Sequence, residues 1–340
     1  MKVLITGGAG FIGSNFSRML VEQLTNVDLT IIDKLTYAGG LDSLSFIKDK
    51  KNIKFIQGDV IDSSLIDFYV KDITHVIHFA AETHVTRSLF DSREFILTDV
   101  LGTQNLLSSL VRNRKNLKRF IHISSSEVYG TALSSEITEA HPLNPLSPYA
   151  AAKCGADRLV YSFLKTYNLP GYIVRPFNNY GPYQHLEKVI PRFITSALRN
   201  LPLVVHGDGS SERDWIYVED TCKALIQLLF NADLGLNTET INLGTGISTS
   251  ILDIARTILL KIPSTKSEII FTKDRPAQVL RHTSSQDLAR SIISSFNPIN
   301  LAEGIQKTIN WYSQNESWWL KRWDSREIKI TLEDGSEVLH

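Results

Sequence analysis

A group of side chains able to move protons lies between residues 122 and 153. Three consecutive serines are followed directly by Glu127, and further along the chain Tyr149 precedes Lys153 by four positions. Residues four apart in a helix share one face, so the Lys153 ammonium is expected beside the Tyr149 phenol. A nearby positive charge favours the phenolate and lowers the pKa of a tyrosine. Tyr149 is therefore predicted to be the base that removes a proton from a substrate hydroxyl.

Oxidation of that hydroxyl would also need a group that accepts a hydride from the same carbon, and the N-terminal segment predicts one. Residues Lys2 to Thr6 form a short apolar run typical of a buried parallel strand, and a helix is predicted from Gly13 to Gln23. Between them, T-G-G-A-G-F-I-G carries the G-x-G-x-x-G spacing at Gly8, Gly10 and Gly13. Such glycines allow a tight turn and a close approach of a pyrophosphate to the backbone, and the helix N-terminus faces the phosphates. This segment predicts a dinucleotide site.

The residue that closes the second strand indicates which dinucleotide binds. The predicted strand Leu29 to Ile32 is followed by Asp33, whose carboxylate can accept hydrogen bonds from a ribose 2′-hydroxyl and would repel a 2′-phosphate. Lys34, the next residue, opposes this preference slightly. NAD is therefore the predicted cofactor rather than NADP.

The elements that must position these groups alternate between strands and helices. Strands are predicted at Ile53 to Gln57, His75 to Phe79 and Phe120 to Ile123, and helical stretches at Phe95 to Leu110 and from Tyr149 to about Tyr167. This alternation predicts an α/β fold, a Rossmann-type doubly wound parallel sheet that binds ligands at the carboxyl ends of its strands.

The second half of the chain has a different distribution of proline and glycine. After Gln184, proline and glycine interrupt shorter elements, and Arg192 and Arg213 are predicted among loops. We expect an NAD-binding domain at residues 1–180, with a returning segment at about 213–250. Residues 181–340 are expected to form mainly a smaller C-terminal substrate-binding lobe and a C-terminal cap. Four of the five tryptophans follow residue 310, which predicts a packed cap, with a subunit interface or a lid as the alternatives.

The composition of the chain limits the classes of partner that it is expected to bind. Lys+Arg and Asp+Glu both number 36, so no global charge favours nucleic acid or an anionic membrane. Cys154 and Cys222 are too few for a disulfide framework and lack metal-site spacing, which fits a reducing cytoplasm and no metal. No signal peptide or membrane-spanning run is expected.

The sequence resembles the extended short-chain dehydrogenase/reductases, the NAD-dependent epimerase/dehydratase family, and within them the nucleotide-sugar 4,6-dehydratases of the dTDP-glucose type. The resemblance extends to about residue 320. Besides the glycine motif and Y-x-x-x-K, it rests on D-K-L-T-Y-A-G from Asp33, A-A-E-T-H-V from Ala80, N-N-Y-G-P-Y from Asn178, E-K-V-I-P from Glu187 and R-D-W-I-Y-V-E-D from Arg213.

This resemblance implies three sets of site residues. The catalytic set is Ser125, Ser126, Glu127, Tyr149 and Lys153. The cofactor set is Gly7, Gly10, Phe11, Ile12, Gly13, Asp33, Lys34, Thr36, Asp59, Val60, Ala80, Ala81, Thr98, Tyr149, Lys153 and Asn178. The substrate set is Thr83, Ser125, Asn179, Glu187, Lys188, Arg213 and Arg275. Cationic side chains suit a diphosphate.

One position departs from the family pattern. Enzymes of the dTDP-glucose type have T-D-E where this chain has Ser125, Ser126 and Glu127, with the aspartate protonating the leaving C6 hydroxyl and the glutamate removing the C5 proton. A serine is too weak an acid for that role, so Ser126 would relay a proton, or Glu127 would return to C6 the proton taken from C5. A serine here also resembles the T-S-E of GDP-mannose 4,6-dehydratases, of dehydratases in legionaminate-type sugar pathways and of UDP-glucuronate decarboxylases.

The leading hypothesis is an NAD-dependent nucleotide-sugar 4,6-dehydratase acting on a nucleotide-diphosphate sugar, with C4 oxidation, loss of water across C5–C6 and hydride return to C6. UDP-glucuronate decarboxylation and nucleotide-sugar 4-epimerisation are the enzymatic alternatives, and an NAD-binding regulatory protein is the non-enzymatic one. Members of the resembled family are commonly dimers, so a cytoplasmic homodimer is expected, with helices at Phe95 to Leu110 and Ala151 to Tyr167 at its interface.

Overall fold

The computed structural model describes residues 1–24, 26–48, 50–230, 240–274, 279–327, 329–331 and 337–339. The strands are β1 (Lys2–Thr6), β2 (Asp28–Asp33), β3 (Ile53–Gln57), β4 (His75–His78), β5 (Arg119–Ile123), β6 (Gly171–Pro176), β7 (Asn178–Tyr180), β8 (Leu203–His206), β9 (Glu212–Tyr217), β10 (Thr240–Leu243), β11 (Ser248–Ser250), β12 (Ile269–Thr272), β13 (Arg281–His282), β14 (Lys329–Thr331) and β15 (Glu337–Leu339).

The helices are α1 (Phe11–Gln23), α2 (Ser63–Val70), α3 (Val85–Phe90), α4 (Arg93–Phe95), α5 (Thr103–Arg112), α6 (Pro148–Tyr167), α7 (Val189–Leu198), α8 (Val218–Phe230), α9 (Ile251–Lys261), α10 (Asp287–Ile292), α11 (Leu301–Gln314) and α12 (Glu316–Leu320). Short 3₁₀ helices cover Leu41–Ile47, Arg114–Asn116, Ser126–Tyr129 and Trp323–Ser325, and a π-helix covers Ile96–Gly102. Among the described helices, none has the length and apolar character needed to cross a bilayer.

A seven-stranded parallel sheet forms the first lobe, in the order β10-β6-β5-β4-β1-β2-β3. The chain winds outward from β1 to β3 and then crosses back to β4, so a crevice opens at the carboxyl ends of β1 and β4. The predicted α/β fold class is confirmed, and the predicted strands agree with the observed ones to within a residue or two.

Alternation along the strands explains why both faces of this sheet are covered. Val3 and Ile5 of β1 point to one face and pack with α1 and α8, whereas Leu4 points to the other and packs with Leu106 and Leu107 of α5. Each face buries its own apolar cluster, which is why the strands contain almost continuous apolar runs.

The helix predicted from Phe95 to Leu110 is not a regular α-helix. A π-helix at Ile96–Gly102 separates α4 from α5. A π turn has no recognisable sequence signature, and such turns occur frequently at functional sites. Here it places Thr98 on the wall of the central cleft and buries Asp99 beside it.

The second lobe is built on β9, which pairs with β7, β11 and β13. Helices α7, α9, α11 and α12 surround a core of their own. Trp318 and Trp319 are buried in this core, where the Trp319 indole N–H donates to the Tyr312 carbonyl (2.8 Å), and Trp311 and Trp323 pack against it. The expectation that Arg192 and Arg213 lie among loops is wrong, because Arg192 is on α7 and Arg213 on β9.

The chain crosses between the lobes more than once. Within residues 213–250, α8 packs on α1 and β10 joins the main sheet, while β9 and β11 belong to the second lobe. A later return was not expected: α10 packs against β10, and Ile293 and Phe296 join the first-lobe core.

An ion pair ties the end of the second lobe to the first. The Arg322 guanidinium donates to both carboxylate oxygens of Asp42, at 2.7 and 3.0 Å, and lies 3.9 Å from the centre of the Trp318 ring. Asp42 sits in the 3₁₀ segment that follows Thr36 and Gly39, two residues of the cleft wall. The C-terminal cap therefore anchors a loop of the predicted cofactor site.

Candidate active site

One cleft of about 420 Å³ runs along the carboxyl edge of the central sheet and continues between the lobes. All the predicted site residues except Arg275 line it: Gly7, Gly10, Phe11, Ile12, Gly13, Asp33, Lys34, Thr36, Asp59, Val60, Ala80, Ala81, Thr83, Thr98, Ser125, Ser126, Glu127, Tyr149, Lys153, Asn178, Asn179, Glu187, Lys188 and Arg213. Arg275 lies outside the described residues.

The glycine turn between β1 and α1 has no room for a side chain at Gly7 or Gly13. Gly7 has a φ of +72°, and a β-carbon there would lie 2.4 Å from the backbone nitrogen of Ala80. A β-carbon on Gly13 would lie 2.3 Å from the Gly7 carbonyl oxygen. Gly10 caps α1 without a side-chain hydrogen bond, which leaves the amides of the first turn available to a ligand.

Asp33 is held against this turn. One carboxylate oxygen accepts a hydrogen bond from the Ala9 amide and the other from the Leu35 amide, both at 2.8 Å. Burial raises the pKa of Asp33, and these amide bonds oppose the rise. Lys34 pairs with Asp59 at 2.7 Å. The Lys34 charge is thus already neutralised, and the site fits a ribose hydroxyl and the NAD predicted from the sequence.

Gly13→Ala is expected to abolish stable NAD binding, because the new β-carbon would force the Gly7 carbonyl and the phosphate-binding turn apart. We expect NAD affinity to fall by roughly 100-fold or more, about 2.7 kcal/mol or more. Titration calorimetry with NAD measures the change. Gly155→Ala is the matched control, because its β-carbon would meet Val100 at an ordinary 3.4 Å. Equal affinity in the Gly13→Ala variant and the wild type would contradict the assignment.

Tyr149 and Lys153 share one face of α6, as predicted. The helix begins at Pro148 and is capped by the Ser147 hydroxyl, which accepts a hydrogen bond from the Ala150 amide at 3.1 Å. Lys153 is buried, and its ammonium donates to the Ile123 carbonyl at 2.7 Å. The carboxyl end of β5 therefore orients the lysine.

The predicted lowering of the Tyr149 pKa is wrong for the chain alone. Burial raises the pKa of Tyr149 above its ordinary value, and a hydrogen bond with Ser125 opposes that rise only in part. Burial lowers the pKa of Lys153, because it disfavours the charged ammonium just as it disfavours the charged phenolate. Loss of solvation around both groups explains the difference, since spacing along a helix carries no information about burial.

The S-S-E segment forms a 3₁₀ helix, Ser126–Tyr129, at the end of β5. The Ser125 hydroxyl caps it by accepting a hydrogen bond from the Glu127 amide at 3.2 Å. Ser126 is buried, whereas Glu127 is half-buried, and both line the cleft. Ser125 and Glu127 thus lie on the same wall as Tyr149, where one sugar ring could contact all three.

A buried polar network contacts the 3₁₀ helix Ser126–Tyr129 and the end of β5. Asp157 accepts hydrogen bonds from the Ser124 hydroxyl (2.7 Å) and from two guanidinium nitrogens of Arg175 (2.8 and 2.9 Å). Arg175 also donates to the Tyr129 hydroxyl at 2.8 Å, and Tyr129 donates to the Asn242 side-chain oxygen at 2.8 Å. The network joins α6, β6 and β10 to the last residue of the catalytic 3₁₀ helix.

Arg175→Met is expected to lower the free energy of unfolding by about 3 kcal/mol, because it removes the buried cation that pairs with the Asp157 carboxylate and leaves Arg158, whose side chain is 43% exposed, as the cation beside it. Urea denaturation followed by circular dichroism measures the loss. Arg112→Met is the control, since Arg112 pairs with Asp67 at the surface, with the side chains 55% and 40% exposed, and such pairs contribute little. Equal losses in the two variants would contradict a special role for the buried network.

Glu187 lies at the centre of a polar cluster on the second-lobe side of the cleft. Its buried carboxylate accepts a hydrogen bond from the Tyr37 hydroxyl at 3.1 Å and lies 3.6 Å from Arg87 and 3.8 Å from Lys188. Lys188 also donates to the Thr83 carbonyl at 2.9 Å. A carboxylate in these surroundings holds cationic side chains in place.

Several residues of the cleft were not predicted from the sequence. His84 and Trp215 lie within quoted motifs but had no assigned role, Arg192 directly follows the E-K-V-I-P motif on α7, and His206 lies on β8, which no quoted motif covers. Among the described residues, no group of three or more His, Cys, Asp or Glu side chains is placed to hold a metal ion.

The parallel sheet, the glycine turn and the Tyr149–Lys153 pair at one cleft define an extended short-chain dehydrogenase/reductase. A family model described as GDP-mannose 4,6 dehydratase matches residues 4–307. The chain belongs to this family, and the family resemblance predicted from the sequence is confirmed.

Similar proteins cover nearly the whole chain. The low-salt glycan biosynthesis protein Agl12 of Haloferax volcanii is 41% identical over 313 residues, which are 92% of this chain and 98% of that protein. A dTDP-glucose 4,6-dehydratase of Streptomyces niveus is 36% identical over 323 residues, 94% of this chain and 95% of that enzyme. The crystal structure of DesIV, a dTDP-glucose 4,6-dehydratase from Streptomyces venezuelae with NAD bound, has a TM-score of 0.88 at 35% identity and covers 95% of this chain and 100% of that chain. These comparisons support the predicted enzyme class and cofactor.

Proposed function

We propose that this protein is an NAD-dependent nucleotide-sugar 4,6-dehydratase of the dTDP-glucose type. The observation that carries the proposal is a carboxylate, Glu127, on the same cleft wall as the Ser125–Tyr149–Lys153 group. In this proposal, residues 1–180 with the returning segment hold NAD, and the second lobe holds the nucleotide diphosphate. Lys188 and Arg213 supply the positive charge, as a diphosphate requires.

The first step is oxidation at C4. Tyr149 takes the proton of the C4 hydroxyl, and the Ser125 hydroxyl, hydrogen-bonded to the phenol, holds the sugar oxygen in line. NAD, held by the glycine turn and Asp33, would supply the acceptor for the C4 hydride and the hydride returned to C6. Lys153, fixed by the Ile123 carbonyl, contributes a positive charge that favours the phenolate.

The second step is loss of water. The C4 ketone acidifies the C5 hydrogen, and Glu127 removes that proton as the C6–O bond breaks. Because Ser126 cannot give up a proton outright, Glu127 passes the proton on to the departing C6 hydroxyl, which leaves as water. After the hydride returns to C6, C5 regains a proton, balanced by the proton that Tyr149 took from the C4 hydroxyl. The sum is loss of one water with no net consumption of NAD.

Product mass tests the proposal. The purified protein is incubated with a panel of nucleotide hexoses and uronates that includes dTDP-glucose. We expect loss of water from a nucleotide hexose. Loss of carbon dioxide from a uronate alone would replace the proposal by decarboxylation, and unchanged mass with inverted C4 would replace it by epimerisation. Absence of any conversion across the panel would favour an NAD-binding regulatory protein.

We propose a homodimer formed through the face that the π-helix and α6 present to solvent. Ile96, Leu101 and Tyr161 are 49%, 41% and 38% exposed on these elements, an apolar surface that pairing would cover. Leu101→Arg is expected to give monomers in analytical ultracentrifugation, whereas Leu260→Arg, at an 81% exposed position of α9, would not. A monomeric wild type would refute the dimer.

Free Cys154 and Cys222 support the cytoplasmic location that we also propose.

A further inference from the structure

Asp99 is a buried carboxylate behind the catalytic pair. It lies in the π-helix, is 1% exposed, and does not line the cleft. One carboxylate oxygen accepts a hydrogen bond from the Glu82 amide at 2.8 Å. Within the described part of the chain, the other oxygen has no hydrogen-bond donor.

The Glu82 amide alone does not account for a carboxylate at this position. A neutral side chain would accept that bond equally well, and an ionised carboxylate with one unsatisfied oxygen is costly to bury without a compensating charge. The charge that favours ionised Asp99 most is Lys153, which α6 packs against the π-helix. Among the charges that act on Lys153, that of Asp99 contributes most.

We propose that Asp99 is a positioning residue for C4 oxidation: its buried carboxylate is the counter-charge that keeps the Lys153 side chain in its ammonium form behind Tyr149. Lys153 has lost nearly all contact with solvent and makes a hydrogen bond to a neutral acceptor, the Ile123 carbonyl. A nearby anion is what such an ammonium requires to stay charged. The π turn of the adjacent helix brings this anion to it.

The same carboxylate acts on Tyr149 in the opposite sense. An anion disfavours the phenolate, and Asp99 does contribute to the raised pKa of Tyr149. The Glu127 carboxylate opposes the Tyr149 phenolate more strongly than Asp99 does, whereas Asp99 is the leading counter-charge of Lys153. The net effect of Asp99 is therefore to preserve the positive charge beside the phenol.

Among the described residues, the ionisable groups that act on Asp99 or are acted on by it are Lys153 and Tyr149 from α6 and Glu82 from the segment after β4, and Asp157 is a second anion near Lys153. Burial raises the pKa of Asp99 to about 7. Below that pH Asp99 becomes neutral, but Lys153 then keeps its proton because the solution is acidic. From neutral pH upward, ionised Asp99 prevents Lys153 from losing its proton. Removal of the Asp99 charge should therefore move the alkaline limit of C4 oxidation to lower pH.

A titration tests the pairing without any assay of turnover. Protein labelled with ¹³C at the aspartate carboxyl groups is titrated by NMR, and Asp99→Asn identifies the Asp99 signal. In the wild type we expect a midpoint near pH 7. In Lys153→Met the midpoint should rise by about one unit or more, because coupling between two sites is reciprocal. An unmoved midpoint would overturn the proposal, whatever reaction the protein catalyses.

The second test rests on the proposed function, although only on its C4 oxidation. Single-turnover reduction of bound NAD is followed by absorbance across a pH series. Asp99→Asn keeps the acceptor for the Glu82 amide and removes the charge, so we expect the alkaline limit to fall by about one to three pH units. Asp99→Glu keeps the charge and should restore part of the range. Ser109→Ala, a buried change on α5, should leave the profile unchanged. An Asp99→Asn profile equal to that of the wild type would overturn the proposal.

Discussion

Tyr149→Phe is expected to lower the rate of C4 oxidation by roughly 10²–10⁴-fold, the usual contribution of a positioned general base. The phenyl ring retains the packing of Tyr149 against Phe95, whose ring centre lies 6.1 Å away, so fold and NAD content should be preserved. Stopped-flow measurement of bound NAD reduction after addition of a nucleotide hexose gives the rate. The loss should appear in the first turnover, because the phenol acts before any other group.

The control for this variant is Tyr161→Phe, on the same helix but 38% exposed and away from the cleft. It should oxidise substrate at the wild-type rate. If Tyr149→Phe also did so, the base would have to be another group and the first step proposed above would be wrong.

Glu127→Gln is expected to separate the two halves of the reaction. The amide keeps the size of the side chain but cannot remove the C5 proton, so substrate should be oxidised at C4 while water loss falls by roughly 10²–10⁴-fold. Reduced NAD should then accumulate to one equivalent per site and persist. Absorbance reports the reduced cofactor and mass spectrometry reports the missing water loss in the same sample.

In the proposed mechanism Ser126 supplies no acid, so Glu127 serves both as the base at C5 and as the proton donor at C6. Glu136→Gln, an exposed change on the loop that follows, should turn over normally. Ordinary turnover by Glu127→Gln would remove Glu127 from both roles.

Local spacing was sufficient to predict much of the site. Gly13 is required by a turn whose geometry is set within eight residues, because its β-carbon would meet the Gly7 carbonyl, and Tyr149 and Lys153 meet because four residues make about one helical turn. Such features need no knowledge of distant parts of the chain. The central sheet follows in the same way from apolar runs of strand length.

The remaining features depend on tertiary structure. Burial reverses the expected direction of the Tyr149 pKa, and no sequence pattern measures burial. Arg192 and His206 reach the cleft because α7 and β8 pack around it, and the pairing of Arg175 with Asp157 joins two elements that show no shared pattern. The π turn that buries Asp99 lies within a stretch whose composition is that of an ordinary helix.

The ion pair between Arg322 and Asp42 also has a consequence for synthesis of the protein in the cell. The two residues are 280 positions apart, and Asp42 belongs to a loop next to the cofactor cleft. While the chain is being made, the loop that carries Asp42 leaves the ribosome long before Arg322 exists. The loop thus acquires its anchor only after Arg322, 280 residues further along the chain, has been added.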